Sequence, residues 1–246
     1  MIKLISIICV YNDEKILNEF LLSSLKMQKG IDYELILLNN KNNRYESAAV
    51  ALNEGASKAK GEVLVFVHQD IRFLSSSTLN DIKNYVEKMG KGIYGVAGVK
   101  DKGTITNIKH GDDLKPAGRY SIDFPVRVKT LDECVIIVDR ETFNKLKFNI
   151  DLIGGYHLYA VEMCLRASKQ NIPIWVLPIE SIHHKSQGKL DKSYFYTLSK
   201  IVKQYKNVKK IPTTMGIWYT NKFLFRYQLL KKNFGIIKRC FLDIIN

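Results

Sequence analysis

The chain has 246 residues, 46% hydrophobic and 25% charged, which suits one α/β domain with a helical appendage and excludes wholesale disorder. Its net charge of +14 is uneven: from Lys189 to Asn246 there are 13 Lys and Arg against Asp191 and Asp243, so +11 sits in the tail. Cys9, Cys134, Cys164 and Cys240 form no CxxC pair and read as reduced core residues of a reducing compartment, while the run Leu4 to Val10 is too short to span a membrane and lacks a cleavage site behind it, so secretion is not expected.

Ile5 to Val10 is a β-branched run without alternation, as in a strand buried on both faces. Asn12-Asp13 can start a helix to Lys26 with Ile16, Leu17, Phe20, Leu21 and Leu25 on one stripe. Tyr33 to Leu38 reads as a second strand, Ser47 to Lys60 as a helix and Val63 to Val67 as a third strand. A helix over Leu79 to Met89 and a strand over Tyr94 to Val99 follow. The alternation predicts a mostly parallel sheet flanked by helices, with ligands beyond the carboxyl ends of its strands. Asp101 to Val128 reads as loops with one short hairpin, Cys134 to Val138 as a strand, Tyr156 to Lys169 as a helix and Ile174 to Leu177 as a strand. Beyond residue 188 the pattern predicts a helical extension, over Ser193 to Tyr205 and then about Ile217 to Ile244, so the expected division is 1–188 and 189–246.

No GxGxxG follows the first strand, and no GxxxxGK[ST] or GxSxG occurs, which sets aside dinucleotide dehydrogenases, P-loop enzymes and hydrolases with a nucleophile elbow. Phosphate binding here calls for a metal. Polar residues gather at the strand ends: Asn12-Asp13, Asn39-Asn40 and His68-Gln69-Asp70. Asp70 suits a hard cation such as Mg2+ or Mn2+, and His68, on the same side of the strand, suits Mn2+ better. The alternative for Asp70 is a helix cap or loop residue.

Four segments in this order resemble a family 2 glycosyltransferase of the GT-A type: Ser6 to Asp13, Glu34 to Asn40, Ala51-Leu52-Asn53-Glu54-Gly55-Ala56 and Gly61 to Asp70. The resemblance continues through Leu131-Asp132-Glu133-Cys134 and Gly155 to Ala167, to about residue 187. It implies a Rossmann-like GT-A fold and an enzyme using a nucleotide-sugar donor, most simply a UDP-sugar, with Mn2+ or Mg2+. The implied acceptor is a growing surface glycan or a lipid-linked saccharide. It assigns Val10, Tyr11, Asn12 and Asp13 to base and ribose, Asn39 and Asn40 to the base, Gly55 to a helix near the nucleotide, and His68-Gln69-Asp70 to ribose and metal. His68 stands where an acid is usual, Asn39 where an Asp is usual, and Tyr159-Ala160 where the acceptor helix carries acids. This pattern resembles a branch with His-Gln-Asp in that place.

Inverting transfer needs a base for the acceptor hydroxyl, and the candidates are Asp132, Glu133, His157 and Glu162. Each has a plainer reading: Glu162 at ion-pair spacing from Arg166, the others as loop, strand-start or exposed helix residues. In the resembling family a histidine near His183-His184 can complete the metal site or contact the diphosphate; neighbouring side chains diverge, so one of the two at most is a ligand. Lys185 and Lys189 are placed to cover phosphates as a lid.

Lys200, Lys203, Lys206 and Lys210 form a basic stripe, and aromatic and aliphatic residues from Ile217 to Leu242 alternate with Lys and Arg. Two readings stay open: contact with an anionic membrane surface, or packing on the domain or on a second subunit as a homodimer. The chain is then cytoplasmic, or peripheral on the inner face of the cell membrane. Competing functions are a nucleotidyltransferase, disfavoured by the lack of a Gly-rich first loop, and a non-catalytic module, including a degenerate transferase. No nucleic-acid motif is present.

Overall fold

The structure, a computed structural model, describes residues 2–185 and 191–232. Lys189, Cys240 and the tail from residue 233 onward, Phe234 and Leu242 included, lie outside them.

The three apolar runs become β1 (Leu4–Tyr11), β2 (Asp32–Asn39) and β3 (Val63–Val67), with β1 paired in parallel to both others. Parallel neighbours require crossovers, and helices supply them. The first runs Glu14–Leu17, widens to a π turn over Asn18–Leu22 and ends over Ser23–Leu25, with the Asp13 carboxylate accepting from Ile16 N at its start. The second, Ala48–Lys58, is capped by Ser47. Along β1 the side chains alternate between two cores: Ile5, Ile7 and Cys9 enter one, and Ile8 enters the other. Both faces are therefore covered, which is why the run shows no polar alternation.

Downstream are β4 (Ile71–Phe73), β5 (Ile93–Gly95), β6 (Ala97–Val99), β7 (Ile105–Thr106), β8 (Lys109–His110), β9 (Lys115–Pro116) and β10 (Val126–Arg127). After them come β11 (Thr130–Leu131), β12 (Val135–Asp139), β13 (Ile174–Val176) and β14 (Ile182–His184). The main sheet has the order β10-β13-β5-β12-β3-β1-β2, and only β12 and β10 run against the other strands. The single strand expected over Tyr94 to Val99 is split: β5 stays in the main sheet, while β6 joins β11 and β7. A helix over Arg140–Leu146, which the sequence reading lacks, follows β12 and is capped by Asp139.

The C-terminal part differs from expectation in one element. Helix Lys192–Gln204 is present, but a hairpin, β15 (Lys210–Thr213) and β16 (Gly216–Tyr219), stands where the second helix was expected to begin. Residues 222–232 are helical. Tyr194, Leu198, Ile201, Trp218 and Phe225 share one apolar cluster with Ile8, Leu64 and Phe66 of the main sheet. The described part of the tail is thus packed into the core instead of appended to it. No helix among the described residues is long and apolar enough to cross a membrane. Cys9, Cys134 and Cys164 are buried free thiols.

Candidate active site

β3 ends in a tight turn, where Ile71 N donates to His68 O and His68 N donates to Cys134 O. The turn reverses the chain into β4, and β4 pairs antiparallel with β14 so that Ile71 lies opposite His184 and Arg72 opposite His183. This ladder brings together two segments more than a hundred residues apart. His184 Nε2 comes within 3.4 Å of Asp70 Oδ1, with side-chain exposures of only 11% and 9%. His68 completes the group: one ligand atom from each of His68, Asp70 and His184 lies within 4.8 Å of the other two. Two imidazoles and a carboxylate at this separation are the donor set of a divalent cation, and imidazole favours Mn2+ over Mg2+. Burial, and then the neighbouring His184, hold His68 below its ordinary pKa, which favours the neutral imidazole that a cation would need. Burial opposes charge on His184 as well, but the hydrogen bond and charge of Asp70 outweigh it and raise its pKa. His68 Nε2 lies 3.2 Å from the Tyr159 hydroxyl, a partner able to orient the ring.

His183 does not belong to the group. Its Nε2 is 2.8 Å from Gly111 O and its ring packs on Phe20, because adjacent strand residues face opposite sides. His110, which the sequence reading passed over, does approach: β8 lies parallel to β14 and sets the His110 ring 5.2 Å from that of His184.

These residues form one wall of a cavity of about 1090 Å³. Of the expected nucleotide contacts, Val10, Tyr11, Asn12, Asn40, His68 and Gln69 line it. Gln69 ties two strand ends together: its Oε1 accepts from Asn12 N and Asp13 N, and its Nε2 donates to Asn12 Oδ1. Asn40 accepts from Tyr45 N and donates to the Tyr156 hydroxyl, another lining residue. Three other expected residues, Asp13, Asn39 and Gly55, are not among those that line the cavity. Asp13 is spent on capping its helix. Asn39 is exposed, and its Oδ1 accepts from Lys41 N in its own turn. Gly55 is a packing residue, since a Cβ there would stand 2.6 Å from Ile8 Cγ2 and 2.8 Å from Leu38 Cδ1, so the glycine is what lets its helix lie flat on the sheet.

The four candidate bases separate. Glu162 is fully buried and away from the cavity lining. Arg166 Nε donates to both its carboxylate oxygens at 2.9 Å, the Tyr205 hydroxyl donates at 2.8 Å and Asn149 Nδ2 at 3.3 Å. It is a structural anchor, which corrects its assignment as a base. Glu162→Ala leaves the Arg166 guanidinium without its carboxylate partner and is expected to lower unfolding stability by on the order of 3 kcal/mol, measured by urea denaturation, without altering cavity chemistry.

Asp132, Glu133 and His157 all line the cavity. Asp132 Oδ1 accepts from Cys134 N, and its Oδ2 accepts from the Thr214 hydroxyl at 2.7 Å. Burial works against its charge, but Thr214, the nearby His184 and Cys134 N hold its pKa below the ordinary carboxylate value. Glu133 is the opposite case. Burial, then the charge of Asp132, push it up to about 8, and its buried Oε1 has no hydrogen-bond partner. At neutral pH it keeps its proton. A carboxyl with a raised folded pKa contributes stability that is full below about 4.5 and is lost as pH rises through about 8. The protonated form is mimicked by glutamine, so Glu133→Gln is expected to be more stable than the parent protein in urea denaturation at pH 8, by ~3 kcal/mol, with the gap narrowing towards pH 5. His157 Nε2 lies 3.5 Å from Asp191 Oδ2, and its ring rests on Tyr194. Asp191, Thr213, Thr214 and Met215, all from beyond residue 188, complete this side of the cavity, as do Lys185 and His110.

A sheet with five strands in one direction, polar strand ends and a His-x-Asp cation group at the third strand define the architecture as GT-A. The chain belongs to the Glycosyltransferase like family, whose model matches residues 6–205. TarS residues 1–349 of S. aureus, solved with UDP-GlcNAc, superposes with a TM-score of 0.60 at 16% identity, covering 84% of this chain and 67% of that one. GalNAc-T7, solved with UDP, GalNAc and Mn2+, gives 0.61 at 13% identity over 81% of this chain and 48% of that one. The mannosyltransferase PcManGT of Pyrobaculum calidifontis, solved with GDP-Man and Mn2+, gives 0.56 at 12% identity over 86% and 66%. At these identities the likeness concerns the fold, and this chain spans about half to two thirds of their lengths. No curated protein matches the sequence.

Proposed function

We propose that the chain transfers a sugar from a nucleoside diphosphate sugar to a hydroxyl of a glycan or lipid-linked acceptor, with inversion at the anomeric carbon. The observation that carries this reading is the cavity itself. Its wall holds a cation-type group, His68, Asp70 and His184, and close to it an ionised carboxylate, Asp132. A divalent cation bound there supplies Lewis-acid stabilisation of the diphosphate leaving group. The two imidazoles favour Mn2+, the ion also present in the GalNAc-T7 and PcManGT structures.

The chain's own groups do the rest. Val10, Tyr11, Asn12 and Asn40 sit at the carboxyl ends of β1 and β2, where a parallel sheet binds its nucleotide. Lys185, at the cavity wall beside His184, offers a positive charge to phosphate. Asp132 accepts the proton of the acceptor hydroxyl as that oxygen attacks. Thr214 and Cys134 N fix the orientation of its carboxylate, and the Thr214 hydrogen bond favours its ionised form. A UDP-sugar is the favoured donor, in line with TarS and GalNAc-T7.

The stereochemical outcome tests the single-displacement reading. Proton NMR of the first product formed from an α-linked donor is expected to show a β-linkage. An α-linked product would overturn inversion.

A further inference from the structure

The helix over residues 222–232 has an inner and an outer face of different character. Inward, Phe225 packs on Trp218, Gln228 accepts from Tyr219 N and donates to Ile217 O, and Lys232 Nζ donates to Met215 O. These contacts clamp the helix to the β15–β16 hairpin. Outward, Phe223 is 79% exposed, Tyr227 61%, Leu230 58% and Leu224 46%. The spacing of Phe223, Tyr227 and Leu230 places them along one stripe of the helix. Lys222, Arg226 and Lys231 flank the stripe and are exposed as well. From Lys192 to Lys232 there are ten Lys and Arg and no acid.

A contiguous apolar stripe with a phenylalanine this open is left uncovered by the described residues and marks a contact surface. Its charge decides the occupant. A second copy packing isologously on this face would set Lys222, Arg226 and Lys231 against the same cations of its partner, with no acid between residues 192 and 232 to offset them. A polyanion such as nucleic acid would answer the charge but leave the apolar stripe in water. An anionic bilayer satisfies both: rings and leucines enter the boundary between headgroups and acyl chains while the cations meet lipid phosphate.

We propose that the outer face of residues 222–232 docks on an anionic lipid surface. The inner face of the same helix holds the hairpin whose turn, Thr213-Thr214-Met215, lines the cavity, and Thr214 holds Asp132. Docking therefore leaves this one helix between the lipid surface and the hairpin that lines the cavity. The docking itself does not depend on the transfer reaction.

Cosedimentation of the full chain with vesicles tests the proposal, using phosphatidylcholine alone and an equimolar mixture with phosphatidylglycerol. Binding is expected to the mixed vesicles only, and to weaken with salt. It is expected to fall by about tenfold or more when Phe223, Tyr227 and Leu230 are all replaced by serine, and again when Lys222, Arg226 and Lys231 are all replaced by glutamate. Both variants change outward side chains only, and an unchanged melting temperature verifies their fold. Absence of binding to anionic vesicles overturns the proposal. So does binding that survives both variants, which assigns the contact to another surface. Dimerisation that both variants abolish, without vesicle binding, overturns it in favour of a subunit interface.

Discussion

Replacing Asp70 by asparagine is expected to weaken Mn2+ binding, read by isothermal titration, by at least about 100-fold, and to take metal-dependent nucleotide binding with it. The reasoning is electrostatic. Of the three side chains grouped at the end of β3, Asp70 alone brings a negative charge; His68 and His184 would ligate a cation as neutral imidazoles. An amide keeps the shape and one oxygen but removes the charge that holds a doubly charged ion. A second readout is independent of metal. The Asp70 carboxylate raises the pKa of His184 in the metal-free protein, so in Asp70→Asn that histidine titrates at lower pH, visible in its NMR resonances. If Mn2+ affinity is unchanged in this variant, Asp70 serves only the turn between β3 and β4.

Asp132→Asn is expected to lower kcat for transfer by about 100- to 10,000-fold, the usual cost of removing a general base, while donor affinity changes only a few-fold. Asparagine retains an oxygen to accept from Cys134 N or Thr214, so the local fold is expected to survive. The contrast with the other acids is physical. Glu133 holds its proton at neutral pH, and Glu162 is enclosed by Arg166, Tyr205 and Asn149. His157, with Asp191 at 3.5 Å, is the remaining one of the four candidates that lines the cavity. Full activity in Asp132→Asn together with loss in His157→Gln would move the base to that pair.

The half of the site that was legible from sequence is the half built by local rules. β1 and β3 are unbroken apolar runs because both their faces are buried, and polar residues at their ends mark the rim where ligands bind. His68-Gln69-Asp70 could be found that way. The other half depends on pairings between distant segments. The register of β14 on β4 chooses His184 over His183, and that of β8 on β14 brings in His110. Neither register has a signal in the residues themselves. Glu162 carried a usable one, its i,i+4 spacing to Arg166, but its enclosure comes from Tyr205, 43 residues on.

The hairpin shows a different failure. Ile217, Trp218 and Tyr219 run on into the apolar residues that follow, and by periodicity alone the stretch reads as a helix. The punctuation was present: Pro212 cannot donate inside a helix, and Gly216 adopts a φ of +138°, a value that side-chain-bearing residues rarely take. With Thr213, Thr214 and Met215 between them, these two residues turn the chain at the cavity wall, and Thr214 reaches Asp132. A segment assigned by charge to a separate tail is part of the site.

The most direct test of the account is titration of the full chain with a panel of UDP- and GDP-sugars, with and without Mn2+, followed by thermal shift and by calorimetry. At least one donor is expected to bind and to raise the melting temperature only when Mn2+ is present, with the effect lost in Asp70→Asn. If no nucleoside diphosphate or its sugar binds with or without Mn2+, the cavity between β1, β3 and the Thr213–Met215 turn is not a nucleotide-sugar site.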